Sequence, residues 1–229
     1  MAANSYYVTG TDTGIGKSVA SAALLRALCA RGLRAVGMKP VASGCECTAD
    51  GWRNEDALAL QQASDPVPAY DDINPYALPL PLAPELAAAA AGVTLELPPI
   101  IAAYQRLQAQ ADAVVVEGVG GWAAPLSATI DQLDVVRALR LPVVLVVGLR
   151  LGCINHARLT ARAIAADGAE LAGWIANDID PAMARMDDNF AILQRLLPAP
   201  CLGRLPHAPG ASPQSLAAAL DCGVLLRSP

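Results

Sequence analysis

The sequence predicts an α/β fold: an open, mostly parallel sheet with helices on both faces. Two observations carry this expectation. Short apolar runs alternate with longer helical patterns along the chain, the order that builds parallel sheets through right-handed crossovers. Several of the short runs are apolar at nearly every position, as in parallel strands covered on both sides.

Taken in order, residues 6–9, 35–38, 113–116, 143–147 and 171–176 read as strands, and 17–31, 131–139, 153–167 and 183–196 as helices. Leu24, Leu25 and Leu28 give the first helix an apolar stripe, and Gly32 stands where a C-terminal cap belongs. Residues 65–84 hold Pro66, Pro68, Pro75, Pro79, Pro81 and Pro84, which reads as a long ordered loop or a lid-like excursion. The alanines of 87–91 read as the tightly packed end of a helix. No internal repeat or boundary is visible, so 1–229 is expected to form one domain.

Composition narrows the function classes. With 54% apolar and 16% charged residues among 229, the chain can bury a large core, and disorder is excluded as its main state. The net charge of −5 comes with no basic run, which sets nucleic-acid binding aside; a local phosphate cradle needs no global charge. The longest apolar run, 141–149, is broken by Pro142 and falls short of the roughly 18 residues that span a bilayer. The N-terminus lacks a basic region followed by a long apolar stretch, so no export signal is read and a cytoplasmic location is expected. The six cysteines are then expected as free thiols. Cys45 and Cys47 have no second Cys/His pair at zinc spacing.

The strongest local signal is Gly10-Thr11-Asp12-Thr13-Gly14-Ile15-Gly16-Lys17-Ser18. It follows a predicted strand and opens a predicted helix, the setting a phosphate-binding P-loop requires. Backbone N–H groups of the loop and the helix start point at an anion. The Lys17 ammonium reaches β and γ phosphates, and the Ser18 hydroxyl can ligate Mg²⁺. Thr11 stands where the first glycine of the usual spacing would be. Lysine usage points the same way. Of 16 Lys plus Arg, the only lysines are Lys17 and Lys39, and a compact ammonium fits a tight phosphate pocket where a planar guanidinium does not. These features make the expected fold P-loop NTPase-like.

Further motifs follow in a fixed order: Met38-Lys39-Pro40-Val41-Ala42-Ser43-Gly44, Arg53-Asn54-Glu55-Asp56-Ala57, Val114-Val115-Val116-Glu117-Gly118-Val119-Gly120-Gly121-Trp122, Leu151-Gly152-Cys153-Ile154-Asn155-His156-Ala157, and Gly173-Trp174-Ile175-Ala176-Asn177-Asp178. Glu117 closes a strand at the edge where open α/β sheets bind ligands. Asp56 by itself reads as a helix cap or dipole partner; the Asn177 amide can donate and accept at once, which suits an adenine edge, and Asn-Asp is also a common turn pair. As a set, from Tyr6 to about Pro206, these motifs resemble dethiobiotin synthetases.

The resemblance implies closure of a cyclic urea on 7,8-diaminononanoate (7,8-diaminopelargonate) with CO₂, ATP and Mg²⁺, giving dethiobiotin, ADP and phosphate. It implies Mg²⁺ on Ser18, Asp56 and Glu117, and Lys17 and Lys39 as catalytic cations. ATP is expected on Thr13, Gly14, Ile15, Gly16, Lys17, Ser18 and Val19. Asn177 and Asp178 are expected at the adenine edge, with Pro206, His207 and Ala208 as a second wall. Ser43 and Gly118 are expected to meet the substrate. The turn of Gly152, Cys153, Ile154 and Asn155 is expected to hold its carboxylate from the neighbouring subunit of a homodimer. His156 is read as structural, and Asp12 as a capping residue. Gly14 departs from the family, where an acidic residue is common.

Two other readings compete. P-loop switch ATPases of the partitioning type carry a signature lysine five residues before the P-loop lysine, where this chain has Asp12. Ligases using ammonia or glutamine would share the cradle, but no glutamine-hydrolysing Cys/His domain accompanies it here.

Overall fold

The computed structural model describes residues 4–226. β1 (Tyr6–Gly10) leads through the glycine-rich turn into α1 (Lys17–Ala30), and β2 (Ala35–Met38) follows. The short β3 (Val41–Ser43) precedes an antiparallel hairpin of β4 (Glu46–Thr48) and β5 (Gly51–Arg53). After α2 (Glu55–Ala63) and α3 (Tyr70–Ile73), β6 (Tyr76–Leu78) pairs in parallel with β3. Next come α4 (Pro84–Ala91), α5 (Leu97–Gln110), β7 (Ala113–Glu117) and α6 (Gln132–Leu139). The remaining elements are β8 (Val143–Leu149), α7 (Cys153–Ala166), β9 (Leu171–Asp178), α8 (Met186–Leu196), β10 (Cys201–Leu205) and α9 (Pro213–Ala217).

The main sheet has six strands in the order β10-β9-β8-β1-β7-β2, and every pairing is parallel. β1 lies between β8 and β7: the chain passes from β1 to the edge strand β2, returns to β7, and then crosses β1 to add β8, β9 and β10 in turn on the other side. The loops at the carboxyl ends of these strands diverge there and open the crevice in which α/β sheets bind ligands. The phosphate loop sits at this point.

Alternation along the strands explains how both faces are covered, because successive side chains point to opposite sides. Val8, Val115, Val144 and Val146 pack on one face with Leu24, Leu25 and Leu28 of α1 and Leu216 of α9. Tyr7, Val114, Val116 and Val143 pack on the other with Ile100, Tyr104 and Leu107 of α5 and Val135 and Val136 of α6. Further along that face, Leu145, Val147 and Trp174 meet Ala157 and Ala161 of α7 and Leu193 of α8.

The five expected strands are present, and β1, β7, β8 and β9 each run one or two residues further than the sequence predicts. The fourth expected helix starts at Met186 instead of Met183, because Arg185 before it takes a left-handed conformation (φ 57°). Several elements go beyond the sequence reading, among them α2, α9, β3 and the β4–β5 hairpin. No helix is expected between Ala91 and Ala113, yet α5 occupies 14 residues there. Its prolines, Pro98 and Pro99, fall in the first turn, where backbone N–H groups have no helical acceptor to lose. β10 is an edge strand of mixed composition that carries no apolar run. The proline-rich 65–84 stretch is only partly loop, since it contains α3 and β6.

The edge strand gives a test of packing. Gly203 of β10 has φ 151°, and a Cβ there would lie 2.0 Å from the backbone oxygen of Ala219. Gly203→Ala therefore destabilises the protein by about 1–3 kcal/mol, the cost of overpacking a site that cannot relax. Equilibrium urea unfolding measures it; an unchanged midpoint would contradict this contact.

Candidate active site

The phosphate loop is shaped by two glycines. Gly14 and Gly16 have φ of 74° and 80°, a region costly for side-chain-bearing residues. A Cβ on Gly16 would also lie 2.1 Å from Asn177 Nδ2. α1 then starts at Lys17 with no side-chain cap, which leaves its first N–H groups free for an anion. Lys17 is buried, and its Nζ donates to the Asp12 carbonyl at 2.9 Å.

Beside the loop lies a compact ionic cluster. Lys39 Nζ donates to Glu117 Oε1 at 2.5 Å, to Asp56 Oδ2 at 3.0 Å and to the Gly118 carbonyl at 3.4 Å. Ser18 Oγ donates to the same Glu117 Oε1 at 2.7 Å. Glu117 ends β7 and is 0% exposed, and Lys39 is 3% exposed. Burial alone disfavours the Lys39 ammonium, but Glu117 and Asp56 outweigh it and hold its pKa above the ordinary lysine value. Burial likewise opposes the Asp56 carboxylate, and Lys39 overcomes it, so that Asp56 titrates below the usual range. Lys17 lacks such contacts: burial, reinforced by Lys39, lowers its pKa.

Local structure places these groups. Asn54 caps α2, its Oδ1 accepting from the backbone N–H groups of Asp56 and Ala57 at 3.1 and 3.3 Å. That cap starts the helix with Asp56 on its first turn, facing Lys39. Asn54 Nδ2 also donates to the Ser43 carbonyl at 3.4 Å, and Asn54 N–H to the Tyr70 hydroxyl at 2.7 Å. Behind β7, the buried Tyr7 hydroxyl donates to Gln132 Oε1, and Gln132 Nε2 donates to the Val119 carbonyl. A Cβ on Gly118 would lie 2.6 Å from both partners of that first bond, so only glycine there lets it form.

A cleft of about 420 Å³ unites much of this. Of the sequence-predicted residues, Thr13, Gly14, Gly16, Lys17, Ser18, Val19, Lys39, Ser43, Asp56 and Glu117 line it. Ile15 does not; its side chain is in the core. Gly118 turns to Tyr7 and Gln132. Asn177 lies behind the loop and donates from Nδ2 to the Ile15 carbonyl at 2.9 Å, leaving its Oδ1 as the uncommitted acceptor. Asp178 is paired with Arg204 at 2.8 Å, and His207 Nδ1 lies 3.2 Å from the Asp178 carbonyl. Pro206 and Ala208 flank His207 just past β10, and none of Asn177, Asp178, Pro206, His207 and Ala208 lines the cleft. The 152–155 turn stands apart from the cleft as well. Asn54, Ala42 and Gly120 line the cleft without having been singled out, as does Val119. Asn54 carries a legible signal, an Asn before an acidic first turn. A second cleft of about 450 Å³, lined by Ser5, Tyr104, Gln108 and Arg140 among others, brings no carboxylate to its walls.

The residues fit Mg²⁺. Glu117 Oε2 is buried and has no partner among the described residues, a cost that a hard cation would remove. Two carboxylates and a hydroxyl are oxygen donors of the kind Mg²⁺ takes beside phosphate oxygens and water.

A parallel sheet switching direction at β1, a P-loop at that point, and a hydroxyl, two lysines and two carboxylates converging beside it define a P-loop nucleoside-triphosphate enzyme. A family model described as an AAA domain matches residues 4–215. The chain is 71% identical over 206 residues to the ATP-dependent dethiobiotin synthetase BioD of Xanthomonas euvesicatoria pv. vesicatoria (strain 85-10), covering 90% of this chain and 92% of that one. It is 66% identical over 221 residues to the protein of the same name from Xylella fastidiosa (strain 9a5c), covering 96% and 98%. The chain belongs to the ATP-dependent dethiobiotin synthetase family. Among solved structures it is similar in fold to MinD in the MinC:MinD cell division complex of Aquifex aeolicus (TM-score 0.59, 12% identity, 99% and 97% covered). It is also similar to a ParA family ATPase from Chlorobium tepidum TLS (TM-score 0.56, 14% identity, 98% and 94% covered).

Because Glu117 is fully buried and paired with Lys39, replacing Lys39 disturbs the fold as well as the chemistry. Lys39→Gln strands a buried carboxylate and costs about 3–5 kcal/mol of stability, besides abolishing turnover. In Lys39→Gln/Glu117→Gln most of that stability returns and turnover does not. Chemical denaturation alongside steady-state assays separates the two effects; a single variant as stable as the parent would refute the buried pair.

Proposed function

We propose that the cleft closes a cyclic urea on 7,8-diaminononanoate (7,8-diaminopelargonate), consuming CO₂ and ATP and yielding dethiobiotin, ADP and phosphate, a step of biotin biosynthesis. The observation that carries this is the convergence of Lys17, Lys39, Asp56, Glu117 and Ser18 on one cleft that also exposes Ser43. Family membership sets the substrate.

In this scheme one amine adds to CO₂ and loses a proton, forming a carbamate. A carbamate oxygen attacks the γ-phosphorus, and the bond from that phosphorus to the bridging oxygen breaks, releasing ADP. The second amine attacks the carbonyl carbon of the resulting carbamic–phosphoric anhydride. The carbon–oxygen bond to phosphate breaks, the amine loses its proton, and the ring closes.

The protein's task is to bring two anions together. Lys17 leaves the Asp12 carbonyl for the β and γ phosphates, and free N–H groups of the loop and α1 surround them. Ser18 Oγ, Asp56 and Glu117 would hold Mg²⁺, which would supply charge neutralisation to the phosphates. Lys39, already charged and fixed by two carboxylates, faces the carbamate and the transferred phosphoryl group without further reorganisation. Ser43, fixed through its carbonyl by Asn54, meets the carbamate or a substrate amine. Asn177 offers its free carbonyl oxygen to the adenine amino group, and the 206–208 segment walls the base.

The chain is read as one P-loop ligase domain working as a homodimer in the cytoplasm. α7 has a left-handed Gly152 at its start, no side-chain cap and no acidic residue in its first turn. That open N-terminus suits a carboxylate, and residues 152–155 do not line the chain's own cleft. Leu151 beside it is 90% exposed, consistent with a surface that meets a second subunit. No helix among the described residues is long and apolar enough to cross a membrane.

Purified protein given ATP, Mg²⁺ and bicarbonate should release phosphate only when the diamine is present, with a product of dethiobiotin mass. Phosphate release indifferent to the diamine would reject the substrate. Ser43→Ala should raise the diamine KM several-fold more than the ATP KM, since removing one hydrogen bond costs about 0.5–1.5 kcal/mol; the opposite pattern would remove Ser43 from the substrate site.

A further inference from the structure

Asp12 lies in the phosphate loop, and the reaction gives its side chain no task. Its carboxylate is nevertheless tightly held. Oδ1 accepts from the Thr13 backbone N–H at 2.7 Å, and Oδ2 accepts from Arg150 Nη2 at 2.5 Å. The carbonyl of the same residue is the one that receives Lys17 Nζ. Arg150 follows β8, which pairs with β1 along Tyr7–Val143 to Gly10–Val146, so the two loops leave the sheet side by side. Among the described residues this is the one ion pair of Asp12.

A carboxylate in a cradle for a polyphosphate poses an electrostatic problem. Half-exposed side chains, 46% for Asp12 and 41% for Arg150, leave the charges only partly screened. Asp12 is held in its charged form, first by the Thr13 N–H and then by Arg150, so it stays negative when the nucleotide arrives.

We propose that Arg150 is a positioning residue for nucleotide binding: it neutralises Asp12 and holds that carboxylate off the phosphate path. This role rests on the reading of the loop as the ATP cradle. Among the described residues Arg150 makes no hydrogen bond or ion pair to Lys17 or to the carboxylates of the Lys39 cluster, so it acts on nucleotide affinity and leaves the reacting groups in place. Unpaired, Asp12 would oppose the incoming phosphates by an amount corresponding to roughly tenfold in affinity at the effective dielectric of a protein surface.

The test compares full-length Arg150→Met, Arg150→Lys, Asp12→Asn and the Asp12→Asn/Arg150→Met double variant. Binding of Mg-ATP is measured by calorimetry, and steady-state kinetics and thermal midpoints are recorded beside it. Arg150→Met should weaken Mg-ATP about tenfold, with the diamine KM and kcat within about twofold of the parent. Added salt should shrink the defect. Arg150→Lys should recover most of the affinity. The double variant should recover it too, because Asn keeps the acceptor for Thr13 N–H and removes the charge. Mg-ATP affinity in Arg150→Met within twofold of the parent would overturn the role. So would a double variant as weak as Arg150→Met, which would mean the guanidinium acts on the nucleotide or the fold directly. A parent protein that does not bind Mg-ATP at all would overturn the cradle itself and this role with it.

Discussion

The ion pair between Lys39 and Glu117 is the constraint on which the site depends. A carboxylate with no solvent exposure is stable only with a partner. The partner here is one of two lysines in the chain. The requirement propagates outward. Lys39 must stand just past β2, opposite the end of β7, and these strands are adjacent in the sheet. The amide of Lys39 donates to the Ile73 carbonyl at 2.8 Å, and its own carbonyl accepts from Asn74 Nδ2 at 2.7 Å. The proline-rich excursion thus ties down the backbone that carries the ammonium. Asp56 completes the balance from a third element, α2, whose start is set by Asn54. One buried charge therefore fixes the relative placement of two strands, a helix and a loop.

Much of this was legible in the sequence, and the reasons differ by element. The five core strands show because parallel strands buried on both faces leave continuous apolar runs. The phosphate loop shows because its chemistry needs glycines, a lysine and a hydroxyl at close spacing. β10 escapes because an edge strand with glycine and arginine has no periodic signature. α5 was legible in principle: Ile100, Ala103, Tyr104 and Leu107 repeat at helical spacing, and only Pro98 and Pro99 mask the start. The support behind the site is the least readable part. Tyr7 and Gln132 are 125 residues apart, and neither bears a motif. Their pairing exists only once β1 and α6 meet on the same side of β7.

The similarity to MinD and a ParA family ATPase shows how little of the chemistry the sheet itself decides. Six parallel strands with a switch at β1 supply an anion cradle in a crevice, and nothing in that arrangement by itself selects a reaction. The difference lies in what the neighbouring loops bring to the crevice. Here they bring a buried lysine held between two carboxylates and a serine on a short strand pair outside the main sheet. The pair β3–β6 is an addition to the central architecture, and it carries Ser43 to the cleft wall.

The bond from Asn177 to the Ile15 carbonyl reaches beyond local packing. It joins the end of β9 to the middle of the phosphate loop, across 162 positions of sequence, and the fit is so close that Gly16 has no room for a methyl group. A different side chain at 177 would release a backbone carbonyl inside the cradle as well as altering what faces a base. With Asn177 read as the adenine contact, as proposed above, choice of base and grip on phosphate become one heritable trait: a substitution that changes the first is selected, for better or worse, through its effect on the second.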